Sequence, residues 1–365
     1  MDKYNNKAVL DVILKKLSVC ISLPKGYEKF SDNRYKNLAD FLTKECSLFN
    51  GHDLYVTPQG SFRLGTVVNP LPSSLSSNNE YDLDMIISVN DLSVNDISPM
   101  ELRDMIKNGV VLYCKSRGFS TNLQEKSRCF RISYKENKNI PFHMDIVPAI
   151  PQSHNETDKS LFTTDNQKLS NWIPGNPLGF AEWFSLKCRL YKGCLACCED
   201  HSIDTVPRLD NANSNLQVAI RIIKRHRDKY YHVVNKENLT IPSIVLSVKA
   251  ARAYTGTCNL YEDLCQITSY LVNKPFDECN PVLQVESYTD RCSTEMRDEF
   301  KRWAVNLKKD IEALECCRSR DELNALLYRS FDETICLSES YVHNNLETYR
   351  VNSIYDEPRP WCDND

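Results

Sequence analysis

The sequence predicts an α+β fold of two lobes, a mixed sheet with helices on one side and then a helical bundle, with the site in the cleft between them. Three observations carry this expectation. Runs with the period-two alternation of strands fall before Pro151, whereas from Asn171 onward apolar residues recur at helical spacing. Three aspartates stand on the strand-like runs, Asp82 and Asp84 in EYDLDMII and Asp145 in FHMDIVP. At 365 residues the chain can bury two cores. The expected division is 1–165 for the N-terminal helices and sheet lobe, 166–350 for the helical lobe, and 351–365 for a flexible tail.

In chain order, residues 8–22 read as an amphipathic helix ending near Pro24, and 31–49 as a second. Gln59-Gly60-Ser61 reads as a turn into a short helix, where backbone N–H groups point at an anion; Gly60 admits a phosphate close to the backbone and Ser61 adds a donor. Residues 71–79, rich in serine and asparagine, read as a loop. The strand at 80–87 sets Asp82 and Asp84 on one face and Leu83, Met85 and Ile87 on the other. A helix over 100–116 and a strand over 129–134 precede the strand bearing Asp145. Helices follow at 178–195, 215–231, 242–255, 260–273, 294–314 and 320–336.

Two carboxylates side by side on a strand repel unless a cation lies between them. If the strands bearing Asp84 and Asp145 pair, Asp82, Asp84 and Asp145 make an all-oxygen site suited to Mg²⁺, with Mn²⁺ as a substitute. Two such ions serve an in-line phosphoryl displacement, one at the attacking and one at the leaving oxygen. Each piece alone has a plainer meaning, a turn for Gly-Ser and a solvated strand face for Asp-x-Asp. Their order and spacing are what give specificity.

The segments GSFRLGT, EYDLDMI and HMDIVPAIP resemble the signature of polymerase-beta-type nucleotidyltransferases, in the version of the bacterial cGAS/DncV-like enzymes, the cyclic-oligonucleotide synthases of CBASS anti-phage signalling. The likeness extends through WIPGNPLGFAEWF, LQVAIRIIKRHRDKYY and IPSIVLSVKAARAY, over roughly residues 8–340. It implies a polymerase-beta-like sheet lobe, catalytic and metal-binding roles for Asp82, Asp84 and Asp145, and nucleotide contacts from Gln59, Gly60 and Ser61. It implies that Lys224 and Ser243 hold the donor triphosphate, and that a long N-terminal helix, best matched by Tyr35–Phe49, braces both lobes. The implied substrates are NTPs, ATP among them, and the implied product is a cyclic di- or trinucleotide that activates an effector protein. An enzyme that adenylylates a small molecule or protein, and a silent nucleotide-binding protein of the same fold, remain as alternatives.

A net charge of −4 supplies no field to hold long nucleic acid, which favours small nucleotides. Sixteen cysteines without an apolar leader point to a reducing cytoplasm. No apolar run approaches the ~20 residues that span a bilayer. Cys194, Cys197, Cys198 and His201 carry zinc-ligand chemistry, though one short cluster must then wrap an ion alone. The run Lys224–Lys229 reads as a solvated helix face. Tyr254 and Trp172 are candidates for base stacking, and the acidic, Pro-containing tail ends in Asp without a glycine suited to conjugation.

Overall fold

Alternation along the 80–89 run folds into the middle of a seven-stranded sheet. The structure, a computed structural model, describes residues 7–72, 80–118, 123–134, 141–155, 158–189 and 213–335. Its strands are β1 (Leu54–Gln59), β2 (Tyr81–Val89), β3 (Leu123–Glu125), β4 (Phe130–Tyr134), β5 (Phe142–Pro151), β6 (Leu161–Thr163) and β7 (Ile173–Gly175). The main order is β1-β2-β5-β4-β3, with β6 on the far part of β5 and β7 on β6. β2 and β5 run parallel with Asp84 opposite Asp145, and the other pairings are antiparallel.

Leu83, Met85, Ile87, Met144 and Ile146 face α2 (Lys25–Asp40) and α4 (Pro99–Ser116) in one buried core. Ser98 begins α4 with a capping box, accepting from the Glu101 amide while Glu101 accepts from Ser98. The opposite face carries Asp82, Asp84, Arg131, His143 and Asp145, the alternate residues of the same strands.

The second core is helical: α5 (Pro177–Arg189), α6 (Asn215–Val233), α7 (Ser243–Ala253), α8 (Leu260–Asn273), α9 (Thr294–Ala313) and α10 (Arg320–Phe331), with a β8 (Cys279–Asn280) and β9 (Leu283–Ser287) hairpin. Helix α1 (Lys7–Cys20) belongs here: Leu10, Ile13, Leu14 and Leu17 are fully buried among the helical residues, and Asp11 accepts the Leu260 amide at 2.7 Å. Residues 1–165 are thus shared between two cores.

Three expectations are corrected. The second helix starts at Lys25 and ends at Asp40, passing through a π-helical turn at Phe41–Glu45 and a 3-10 turn at Ser47–Phe49, because Pro24 sets an entry that the apolar spacing did not reveal. Tyr35, Leu38, Leu42 and Phe49 lie in the sheet-lobe core, so Tyr35–Phe49 does not brace both lobes. The last helix stops at Phe331, where Asp332 turns left-handed at φ 59°. The cysteine–histidine cluster, most of the 71–79 loop and the tail lie outside the described residues.

Candidate active site

Gly60 opens a single helical turn, α3 (Gly60–Arg63), directly after β1. Its φ is +62°, and a Cβ placed on it would fall 2.1 Å from Asp84 Oδ2. A side chain is excluded twice, by the backbone region and by the carboxylate. The expected reason for this glycine was approach of a phosphate; the structure supplies a nearer one, since the turn is seated on the Asp84 carboxylate. Gln59 pairs across from Asp84 in the β1–β2 ladder. The Ser61 hydroxyl is half-buried and has no hydrogen-bond partner among the described residues.

The three aspartates come together on one face, but with different surroundings. Asp84 accepts no side-chain hydrogen bond among the described residues, and burial together with the charges of Asp82 and Asp145 pushes its carboxyl up to about 7. Asp82 is exposed and meets His143 Nε2 at 2.9 Å; His143 Nδ1 lies 2.9 Å from Glu80 Oε2 but out of line for a hydrogen bond. Asp145 is clasped by Arg131, Nε to Oδ1 and Nη2 to Oδ2, both at 2.7 Å. Arg131 also lies 3.7 Å from Asp82.

Sequence reasoning missed Arg131 and His143. Arg131 stands opposite Asp145 in the β4–β5 ladder, and His143 opposite Asp82 in the β2–β5 ladder. Alternation within FRISY and FHMD carried both signals, legible only once the register is known.

These residues fit a divalent cation in donor type, oxygen ligands crowded enough to raise Asp84. Among the described residues no three acidic, histidine or cysteine side chains already converge as a metal cluster. Arg131 acts as an internal counter-ion on Asp145, and His143 lies against Asp82.

The helical lobe reaches the site through α6. Gln217 Nε2 donates to Leu64 O at 3.0 Å, and a Cβ on Gly65, at φ +64°, would strike that amide at 2.7 Å. Lys224 Nζ donates to Thr66 O at 3.1 Å and Thr66 Oγ1 at 3.2 Å, so it pins the loop leaving α3. Burial and the charge of Arg227 push the Lys224 ammonium down to about 7, against the attraction of Asp228 and Asp84. Ser243, at the start of α7, accepts from Arg227 Nη1 at 2.8 Å.

The reading of Lys224–Lys229 as a solvated face is overturned. Lys224, Arg225, His226, Arg227 and Lys229 are all buried, because α6 runs through the middle of the bundle with neighbours on every side. Acids from the C-terminal helices and the turn after them answer some of these charges: Lys229 pairs with Asp332 at 2.6 Å and His226 Nε2 lies 3.2 Å from Asp310. His226 Nδ1 accepts from Trp303 Nε1, which places the ring proton on Nε2. Tyr254 is a core residue, and half-buried Trp172 packs on Phe162 with ring centres 6.1 Å apart.

Residues 55–148, which span β1 to β5 and so include every strand aspartate, match the family model for the cyclic GMP-AMP synthase DncV-like nucleotidyltransferase domain. Over that stretch the chain is similar to DncV-like nucleotidyltransferases. It is 27% identical over 299 residues to the c-di-GMP synthase of Roseivirga ehrenbergii, covering 78% of this chain and 74% of that protein. In fold it is similar to the Bradyrhizobium diazoefficiens CD-NTase CdnG in complex with GTP, with a TM-score of 0.64, 22% identity and coverage of 93% and 98% of the two chains. It is also similar to the Vibrio cholerae DncV cyclic AMP-GMP synthase in complex with nonhydrolyzable GTP, with a TM-score of 0.56, 16% identity and coverage of 93% and 87%. The nucleotidyltransferases of this superfamily are typically metal-dependent. Among the described residues no helix is long and apolar enough to cross a membrane.

Proposed function

We propose that the chain is a DncV-like nucleotidyltransferase that joins two NTPs, GTP among them, into a cyclic dinucleotide and releases pyrophosphate at each bond. The observation that carries the reading is the parallel β2–β5 register, which sets Asp84 beside Asp145 under the Gly60 turn. The similarity to a c-di-GMP synthase supports guanine as a substrate base and a two-nucleotide ring.

Asp82, Asp84 and Asp145 would hold two Mg²⁺ ions, which supply charge stabilisation at the attacking and leaving oxygens. Asp145 is placed to draw the proton from the attacking hydroxyl once Arg131 yields its carboxylate. The freed guanidinium is then available to a phosphate oxygen, for which its planar fork is suited. The half-buried Ser61 hydroxyl and the amides of the Gly60 turn donate to the donor triphosphate. Lys224 holds the loop that orients this turn, and turns to the triphosphate if it exchanges Thr66 for a phosphate. Ser243 reaches phosphate only by parting from Arg227. The linear intermediate then presents its own triphosphate to the same carboxylates, and proximity favours ring closure over a third addition. The product would act on an effector protein of anti-phage defence.

Incubation with labelled GTP and ATP in Mg²⁺ or Mn²⁺ tests this. A phosphatase-resistant, nuclease-sensitive species with the mass of a cyclic dinucleotide is expected. A ladder of linear oligomers, or label on a non-nucleotide acceptor, would overturn it.

A further inference from the structure

On the helical lobe a recess of about 620 Å³ opens between α5, the C-terminal end of α7, α8 and the β8–β9 hairpin. That volume is in the range of small-molecule sites. None of the aspartates of the active site lines it. Arg252, on its wall, stands nine residues along α7 from Ser243, about 13 Å at helical rise.

Two properties of the wall point to a ligand. Lys187, Trp183, Tyr270 and Gln284 line it, and their side chains have no hydrogen bond or ion pair among the described residues. These groups are half-buried or exposed, so they are open to a ligand, whereas Asn280 on the same wall is held by Glu286 at 2.8 Å. The local charge is also unbalanced. Buried Glu278 is met by Arg252 at 3.0 Å and Lys249 at 3.5 Å, Glu286 beside Asn280 is the second acid here, and Lys187 adds a third cation, so positive charge is in excess by one. An anion suits that excess, while the half-buried rings of Trp183 and Tyr270 offer flat apolar area.

We propose that this recess is a second, non-catalytic site for a planar heteroaromatic anion of nucleotide size, its ring against Trp183 and Tyr270 and its phosphate on Lys187 and Arg252. A ligand there bridges α5 and α7 to the hairpin. The hairpin in turn reaches the sheet lobe through Glu286, 3.9 Å from Arg128, which lies next to β4 and its Arg131. Occupancy of the recess therefore bears on how the hairpin sits beside the active-site strands. Such a ligand has two sources, the free mononucleotide pool and a cyclic dinucleotide made by the chain itself; only the second rests on the proposed reaction.

The test uses the full chain carrying Asp82→Ala and Asp84→Ala, in EDTA, so that neither synthesis nor metal-held triphosphate contributes. GMP, cyclic di-GMP and inorganic phosphate are titrated separately by calorimetry, with Trp183 fluorescence as a second readout. Saturable binding of GMP or cyclic di-GMP is expected, weakened about tenfold or more by Lys187→Ala and by Tyr270→Ala, with the fluorescence change lost in Trp183→Phe. Tighter binding of GMP supports the pool as source, and tighter binding of cyclic di-GMP supports feedback by product. Absence of binding at millimolar ligand, binding indifferent to Lys187→Ala and Tyr270→Ala, or inorganic phosphate binding as tightly as GMP would overturn the proposal. Because the protein tested is inactive, failure here leaves the proposed reaction unaffected.

Discussion

The two lobes bring opposite charges to the cleft, and they treat them differently. The sheet lobe leaves its acids under-answered: the Asp84 carboxylate accepts no side-chain hydrogen bond among the described residues, and Asp82 and Asp145 borrow His143 and Arg131. The helical lobe buries its cations within α6, where Asp332 of the same lobe answers Lys229 and Thr66, on the loop leaving α3, answers Lys224. An under-answered acidic face is poised to take a cation from outside, whereas a basic helix whose lysines are already held by the protein is built to hold position. The sheet lobe should therefore govern turnover and metal affinity, and α6 chiefly geometry and stability.

The largest effect should come from removing the acids. Asp82→Ala with Asp84→Ala should lower nucleotide joining by about 10³-fold or more, since metal-borne charge stabilisation is worth several kcal/mol. The melting temperature should stay level or rise, because like-charge repulsion is relieved. Retained turnover, or a collapsed melting transition, would contradict the contrast between the lobes.

Gly60→Val comes next. The positive φ alone costs roughly 1–3 kcal/mol, and the Asp84 carboxylate must move as well. Activity should fall about 100-fold with a lower melting temperature, checked by product assay and calorimetry. Arg131→Met tests the internal counter-ion: Mn²⁺ affinity without nucleotide, read by the electron-spin signal of free Mn²⁺, should rise about tenfold as Asp145 is released, a difference of roughly 1.4 kcal/mol. Unchanged affinity would mean that the clasp does not compete with metal.

Lys224 gives a pH signature. Its folded value of about 7 lies below the ordinary 10.5, so between these limits the unfolded chain binds more protons and stability rises with pH. The slope is at most about 1.4 kcal/mol per pH unit for one group. Denaturant titrations of wild type and Lys224→Met from pH 7 to 10 should differ by that slope, with the Met variant flatter. Parallel curves would place the lysine's charge in solvent. The smallest effect belongs to Ser61→Ala, one hydrogen bond of roughly 0.5–1.5 kcal/mol, seen as a loss of NTP affinity of up to about tenfold.

Much of the fold and site was legible because period and residue type coincided. Asp82 and Asp84 could be placed on one face from alternation alone, with Asp145 joining them only if its strand paired, and α8 could be read to its ends because Asn259 caps it and the apolar stripe runs its full length. What escaped depends on tertiary context. No local pattern distinguishes a helix that packs on the lobe following it from one that packs on the lobe nearly 200 residues away, so the allegiance of α1 was hidden. The burial of Lys224–Lys229 was hidden for the same reason: charge on a helix reads as exposure until the acids of the C-terminal helices and the turn after them are brought up to it. Short strands such as β6 and β7 carry too few residues to show a period at all.

The position of α1 also orders events at the ribosome. Its apolar face, Leu10, Ile13, Leu14 and Leu17, emerges before the sheet lobe, but the α6 and α8 surfaces that cover it are translated about 200 residues later. At 5–20 residues per second that interval is on the order of ten seconds or more, during which the sheet lobe can form and the first helix cannot dock. Nascent chains that stall before α6 should therefore be chaperone substrates even with a folded sheet lobe, and a gene fragment for that lobe should begin beyond Ile21 to remain dispersed.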